Sequence, residues 1–154
     1  MTEAAGVAES GAVALSALLH FLDSPSVDLL ARVLGLSSSG TVRLVDRLEE
    51  AGLVRRTIAP DGRVTSVALT AAGRRRAQAV TRARRELMEQ ALEALTPAER
   101  RQFGVLAGTI LPGLIRPPGA SRWTCRLCDV IACGRSDGHC PVYEAAKARY
   151  GAGD

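Results

Sequence analysis

The four cysteines of the chain all lie near its C-terminus, and their spacing suits metal binding. They fall within 16 residues in the pattern C-x2-C-x4-C-x6-C, formed by Cys125, Cys128, Cys133 and Cys140. A C-x2-C pair can direct two thiolates at one ion. Gly134, Gly138 and Pro141 supply the bends that would bring the other two thiolates round. The sequence therefore predicts a four-thiolate metal site.

Three chemistries are compatible with this cysteine pattern. A structural zinc ion explains it without any redox supply, so zinc is favoured. A [4Fe-4S] cluster also takes four thiolates, and the Cys140-Pro141 pair is similar to ferredoxin ligation. The third hypothesis is a redox-active Cys125–Cys128 dithiol, although a thioredoxin-like enzyme would need a βαβ unit that the sequence does not predict.

The basic residues are the second group of side chains that could bind a ligand. Of the 20 basic residues, 19 are arginine, whose planar guanidinium group suits phosphate and guanine. Residues 24–85 hold twelve arginines against five acidic residues, a net charge of +7. A polyanion, if one binds, would therefore contact the middle of the chain. The other interpretation is that these arginines only form a solvated helix face.

Composition argues against several other classes of protein. Five aromatic residues are too few for a base-stacking surface that binds single strands. The longest uncharged apolar stretch, residues 103–115, is shorter than the roughly 20 residues that span a bilayer, so no membrane helix is expected. The first residues lack a basic leader, which favours a cytoplasmic protein. His20 is expected in the core and His139 in an exposed loop, so no enzyme is predicted.

Helical periodicity predicts the elements that must position these groups. Leucines at helical spacing indicate a helix over residues 4–21, and Ser26 is suited to cap a second helix that ends near Leu34. Gly35-Leu36-Ser37 predicts a tight turn into a third helix from about Ser38. The apolar stripe of that helix consists of Thr41, Leu44, Val45 and Leu48. Two helices joined by such a turn form a helix-turn-helix.

The next segments predict a hairpin and two long helices. Residues 53–57 and 63–69 flank an Asp61-Gly62 turn, which indicates a β-hairpin, or wing. Thr70 is suited to cap a helix that extends to about Leu95, and Thr96-Pro97-Ala98-Glu99 predicts a capping box for another. The apolar faces of these helices need a covering surface. A second copy of the chain is favoured over packing against residues 4–22.

Residues 33–56 resemble the winged helix of the MarR family of bacterial transcription regulators. Asp61-Gly62-Arg63 is similar to that family's D-x-R wing signature, and Leu69-Thr70-Ala71-Ala72-Gly73 to its L-T-x-x-G junction. The resemblance covers about residues 10–115. It implies a homodimer on a pseudo-palindromic duplex, usually as a repressor, with the helix from Ser38 in the major groove and the wing at the adjacent minor groove. The family also implies a possible small-molecule effector.

The resemblance assigns DNA contacts to individual residues. The groove-facing family positions correspond to Ser38, Ser39, Gly40, Val42 and Arg43, and the wing-tip arginine corresponds to Arg63. Arg43 could pair with guanine, Val42 could touch a thymine methyl group, and Ser37 or Ser39 could hold phosphate. Arg47 and Arg55 are candidate phosphate contacts. For Arg47, a salt bridge to Asp46, to Glu50 or to another helix is the alternative.

These patterns predict a mainly α protein with a small β-hairpin wing, a winged helix-turn-helix with long dimerisation helices. Residues 1–23 form the first core helix, 24–70 the DNA-binding region, 71–116 the dimerisation helices and 117–154 the four-cysteine tail. The predicted function is sequence-specific binding of double-stranded DNA to regulate transcription. The alternative is a redox or metal sensor whose tail carries an iron-sulfur cluster or reactive thiols that control DNA binding.

Overall fold

The computed structural model describes residues 9–58, 65–115 and 120–151, which form eight α-helices, a short 3-10 helix and a two-stranded sheet. In chain order the elements are α1 (Glu9–His20), α2 (Val27–Leu34), α3 (Ser38–Glu50), β1 (Val54–Ile58), β2 (Thr65–Leu69), α4 (Ala71–Ala91), α5 (Pro97–Ile110), the 3-10 helix (Leu111–Leu114), α6 (Ala120–Cys125), α7 (Val130–Cys133) and α8 (Pro141–Tyr150). This architecture confirms the predicted mainly helical winged fold. No helix of the described residues is long and apolar enough to cross a membrane.

The main core lies among α1, α2, α3 and the hairpin. Leu15 of α1, Leu30 of α2 and Val45 of α3 are fully buried in one cluster, which Val54 and Val67 extend into the sheet. Burying a side chain of this size contributes about 1.5–3 kcal/mol. Small residues of α1 let the helices approach closely, since Ala14 and Ala17 are also fully buried. The helix-turn-helix is therefore one packed unit rather than two loosely joined helices.

The predicted helix caps are present in the structure. The Ser26 side chain accepts a hydrogen bond from the Leu29 amide, and the Ser37 side chain accepts one from the Gly40 amide. Gly35 closes α2 in the left-handed conformation, with φ of +67°. That conformation favours glycine because it has no Cβ. These three residues confirm the predicted turn and fix the direction in which α3 leaves it.

The wing is an antiparallel pair whose register runs from Val54 opposite Leu69 to Ile58 opposite Thr65. It is attached to the segment before α2, because the Val67 amide donates a hydrogen bond to the Pro25 carbonyl. The strands confirm the predicted hairpin. The Asp61-Gly62 turn lies outside the described residues.

Helix α4 has two different environments along its length. Its first half packs on α1 and buries Ala77, Val80 and Thr81, whereas Leu87 and Met88 in its second half are about half exposed. The predicted extension to Leu95 was wrong, since the helix ends at Ala91. Leu92 caps the C-terminus of the helix, the chain turns over residues 92–95, and Thr96 then caps α5 with an extended backbone. The predicted capping box between Thr96 and Glu99 is confirmed.

The residues beyond α5 form a second, smaller cluster. Ile115, which follows the 3-10 helix, packs with Cys125, Cys140 and residues of α8. The cysteine segment is therefore folded against the end of the α5 region and has its own small core.

Gly73 is required where α4 passes the wing. A Cβ added there would overlap the carbonyl oxygen of Leu53 and lie 2.8 Å from the carbonyl carbon. We expect Gly73→Ala to lower the free energy of unfolding by about 1–3 kcal/mol, because backbone must move to admit the methyl group. Chemical denaturation measures the change.

Gly113→Ala is the matched control, since a Cβ at Gly113 meets no atom within 4 Å. Equal unfolding midpoints for the two variants would show that α4 and Leu53 are not in close contact.

Candidate nucleic-acid interface and cysteine cluster

The outer face of α3 carries most of the residues predicted to meet DNA. Thr41, Leu44, Val45 and Leu48 are buried, so the helix can present only its opposite side to solvent. The exposed residues there are Ser38, Ser39, Val42, Arg43 and Arg47, with Gly40 partly covered. Val42 is 42% exposed, so its side chain is accessible on this face. The structure brings these residues together on one side of a rigid helix.

The Ser37 hydroxyl has a structural role, because it caps α3. Its Oγ accepts a hydrogen bond from the Gly40 amide at 3.1 Å and lies 3.4 Å from the Ser39 Oγ. Ser38 and Ser39 are exposed at the first turn of the helix, where amide groups and the helix dipole favour an anion. Ser37 thus positions α3, while its neighbours are available for contact.

Three of the candidate arginines have no acidic partner in the described part of the chain. Arg43, Arg47 and Arg55 are exposed and form no ion pair there. Arg47 Nε donates a hydrogen bond to the Arg43 carbonyl oxygen at 3.3 Å. The alternative interpretation of Arg47, a salt bridge to Asp46 or Glu50, is therefore not found among these residues. Arg63 lies outside the described residues.

Two of the three carboxylates of α3 pair with the wing instead, an arrangement that the sequence analysis missed. Arg56 of β1 donates through its guanidinium group to Asp46 and Glu49, and its backbone amide donates to Glu49 Oε1 at 2.8 Å. The amide and then the side chain of Arg56 hold the pKa of Glu49 below its usual value. The i, i+3 spacing of Asp46 and Glu49, with an arginine in the next strand, was the available signal.

This ion-pair network has two consequences for the site. It ties the wing to the C-terminal half of α3, so the two elements keep a fixed relation. It also neutralises Asp46 and Glu49, which would otherwise repel phosphate beside Arg43 and Arg47.

The four cysteines come together in the smaller core. Cys125 and Cys140 are buried, and Cys128 and Cys133 are half-buried against the same cluster. Cys125 ends α6 and Cys133 ends α7, while Cys140 caps α8 by accepting a hydrogen bond from the Tyr143 amide at 3.5 Å. The Cys128 amide donates to the Cys125 carbonyl at 2.7 Å, which folds the C-x2-C segment into a tight turn.

The thiols differ in their tendency to ionise. Its hydrogen bond with Cys125, assisted by Arg84 and Arg135, lowers the pKa of Cys128 to about 6. The same hydrogen bond, together with burial, raises the pKa of Cys125. Cys128 is therefore the thiolate of the pair at neutral pH, and thiolates are the form that binds metals or reacts.

The donor set suits zinc or an iron-sulfur cluster, since four thiols share one small core. Among the residues that the structure describes, however, no three Cys, His, Asp or Glu side chains form a group that could hold a metal ion.

The two predicted histidine environments agree with the structure. The His20 side chain is 10% exposed, and its Nε2 lies 2.8 Å from Thr81 Oγ1. Burial lowers the pKa of His20, an effect that Asp129 partly offsets. His139 is exposed.

A recognition helix with an exposed polar face, capped by serine and tied to a basic hairpin, defines a winged-helix transcription regulator that binds DNA. The MarR family model matches residues 12–64. A probable transcriptional regulator from Pseudomonas aeruginosa is 30% identical, with 68% of this chain and 79% of that chain covered and a TM-score of 0.53. The chain belongs to the MarR family.

Two further solved structures are similar to this chain. A MarR family protein from Bacillus stearothermophilus is 27% identical over 71% of this chain and 76% of that chain, with a TM-score of 0.65. A variant of MepR from Staphylococcus aureus bound to an oligodeoxyribonucleotide is 21% identical over 73% and 83%, with a TM-score of 0.55, and shares the fold. No match was found among curated proteins.

The Glu49–Arg56 contact makes a pH-dependent contribution to stability. Because the pKa of Glu49 is lowered in the folded state, the contribution is present above the unfolded value of 4.5 and is lost as pH falls through the folded value. We expect wild-type protein to lose more free energy of unfolding between about pH 6 and pH 3 than Glu49→Gln does. Denaturant titrations across this range measure the difference.

The control is Glu50→Gln, which changes an exposed neighbour that forms no ion pair in the described residues. Identical pH profiles for wild type and Glu49→Gln would show that the carboxylate does not hold the wing.

Proposed function

We propose that the protein is a repressor that binds a pseudo-palindromic operator in double-stranded DNA as a homodimer. The observation that carries this proposal is the outer face of α3, where two serines are exposed beside Arg43 and Arg47, which have no acidic partner among the described residues. A polyanion is the natural partner of such a face, and the major groove admits a helix of this size. The resemblance of the fold to MepR, whose variant was solved with an oligodeoxyribonucleotide, supports the same function.

Each candidate residue has a distinct proposed role at the operator. Arg43 reads guanine through O6 and N7, and Val42 contacts a thymine methyl group. Ser38, Ser39 and the Gly40 backbone approach phosphate at the helix N-terminus, which Ser37 orders by capping. Arg47 and Arg55 contact phosphates, and Arg63 reaches the minor groove from the wing. Only Arg43 and Val42 would carry base preference directly.

The proposed dimer rests on an apolar face that a single chain leaves uncovered. Helix α5 has no buried residue in the isolated chain. The large apolar side chains that are exposed along α4, α5 and the 3-10 helix are Leu87, Met88, Phe103, Val105, Leu106, Ile110, Leu111 and Leu114. Apolar faces of this extent mark an interface. A second copy supplies an identical face, and twofold symmetry would give two recognition helices.

Repression and its relief follow from this arrangement. A dimer that occupies promoter DNA excludes polymerase, so a signal must weaken DNA binding to release transcription. A cavity of about 450 Å³ between α1 and α4, lined by His20, Thr81, Arg82 and Arg85 among others, is the proposed place for a small-molecule effector. A chromosomal operator would place the protein in the cytoplasm.

The role of Arg43 can be tested on a DNA fragment recovered by in vitro selection with the purified protein. We expect Arg43→Ala to weaken binding to that fragment about 10- to 100-fold, because a bidentate arginine–guanine contact is lost. Fluorescence anisotropy against the selected fragment and a scrambled duplex measures the effect. Arg149→Ala, which removes an exposed charge from α8, is the matched control and should bind as wild type does. Equal losses for both variants would exclude base readout by Arg43.

A second candidate function is sensing by the cysteine cluster. The specific observation in its favour is that four thiols share one small core and that the pKa of Cys128 lies near 6. We propose zinc as the bound ion, with a [4Fe-4S] cluster as the alternative and a reactive dithiol as the third possibility. The protein's part would be to supply four thiolates, two of them from the Cys125–Cys128 turn.

Metal analysis with an ultraviolet-visible spectrum, on protein purified without oxygen, separates these chemistries. We expect one zinc ion per chain and no visible colour, and we expect Cys133→Ser to retain less zinc. Ser136→Ala, a nearby exposed position, is the control. If the protein instead contains iron and sulfide and absorbs at about 400 nm, the bound group is a [4Fe-4S] cluster and not zinc. Protein that contains no metal would favour the third chemistry, a reactive Cys125–Cys128 dithiol.

A further inference from the structure

The cysteine segment contacts the DNA-binding half of the molecule at two places, and both adjoin the Cys125–Cys128 pair. Trp123 lies two residues before Cys125 and rests on the turn between α2 and α3. Asp129 follows Cys128 directly and contacts α1 and α4. A change in the backbone between Cys125 and Cys128 would therefore move the residues that make both contacts.

The first contact is with the turn that positions the recognition helix. A Cβ placed on Gly35 would lie 3.1 Å from the indole Nε1 of Trp123, so the indole closely covers that glycine. Arg126 holds the indole in turn, since its guanidinium group lies 4.0 Å from the ring centroid. Gly35 ends α2, and Ser37 two residues later caps α3. Trp123 is thus positioned against the start of the recognition helix.

The second contact joins the two helices beneath the helix-turn-helix. Asp129 Oδ2 lies 3.2 Å from Arg85 Nη2 of α4, and Oδ1 lies 3.8 Å from His20 Nδ1 of α1. The Asp129 side chain is 15% exposed and that of Arg85 is 59% exposed, so the ion pair is partly shielded from solvent. Asp129 therefore fixes the cysteine segment to α1 and α4.

The same segment also rests on the helices proposed for dimerisation. Ile115 belongs to the cysteine core, and a Cβ on Gly108 of α5 would lie 3.7 Å from Pro141 Cγ. The segment therefore bridges α5 and the helix-turn-helix. The relative position of those parts sets the separation of two recognition helices in a dimer.

We propose that the Cys125–Cys128 pair is a dithiol switch that acts on DNA binding through Trp123 and Asp129. In the reduced state both contacts hold the recognition helix as observed. When a disulfide forms, the two sulfurs must approach to about 2.05 Å, which pulls on the tight turn between them. Trp123 and Asp129 flank that turn, so both shift and DNA affinity falls. This inference rests on the proposed DNA-binding function.

The chemical step needs a two-electron thiol oxidant, for which we take the diazene diamide. Each thiol loses its proton, one S–S bond forms, and the N=N bond accepts two protons and two electrons to become a hydrazine. Cys128, which is less buried than Cys125, attacks a diazene nitrogen first, and Cys125 then attacks the Cys128 sulfur to complete the disulfide. Any zinc held by the pair is released, because the disulfide sulfurs are no longer thiolates.

The test uses the full chain and its only tryptophan, Trp123, as the reporter. Diamide should form the Cys125–Cys128 disulfide, seen by mass spectrometry, and shift the Trp123 emission without DNA present. Affinity for the selected DNA fragment should fall about 5- to 150-fold. Reduction should restore both. Cys128→Ser should show neither response.

The Asp129→Asn variant tests whether the Asp129 contact transmits disulfide formation to DNA affinity. It keeps the size of the side chain but loses the charge that faces Arg85 and His20. We expect it to form the disulfide, to bind DNA more weakly than wild type already when reduced, and to lose most of the further change in affinity on oxidation. The matched control, Asp137→Asn, alters an exposed residue of the same segment and should respond as wild type does.

Three outcomes would overturn the proposal. They are failure of the disulfide to form, a disulfide that changes neither emission nor affinity, and an unaltered response in Asp129→Asn. Failure of the proposed function looks different, since the reduced protein would then show no preference for any DNA, whereas the emission shift would still report undocking of Trp123.

Discussion

The burial of one face of α3 is the constraint on which the rest of the structure depends. Thr41, Leu44, Val45 and Leu48 pack into the core formed by α1, α2 and the hairpin, so the helix cannot rotate without exposing them. The outer residues are therefore fixed in direction before any partner arrives. Such preorganisation lowers the entropic cost of binding and is what a recognition helix requires.

The ion pairs between α3 and the wing also shape the outer face of α3. Asp46 and Glu49 of α3 pair with Arg56 of the wing, which lowers the negative charge beside Arg43 and Arg47. Arg56 thus joins α3 to the wing and neutralises two carboxylates beside the basic face of α3. A lysine would serve less well, because it lacks the fork that reaches two carboxylates at once.

Local signals in the sequence predicted the winged core well, because caps and turns act over a few residues. Ser26, Gly35, Ser37, Thr70 and Thr96 were all identified and all perform as expected. The end of α4 and the Arg56 network were missed, since both depend on contacts between elements. The docking of Trp123 and Asp129 could not be predicted either. Nothing in the local pattern relates these residues to Gly35 or Arg85, which are distant in sequence.

The central claim is that two copies of α3 read inverted half-sites in one duplex. Selection of random-sequence DNA by the full-length protein, followed by sequencing, tests it most directly. The account predicts an enriched motif of two inverted half-sites whose centres lie about 10 base pairs apart, one turn of the double helix. No enriched sequence, or a single half-site without an inverted partner, would contradict it.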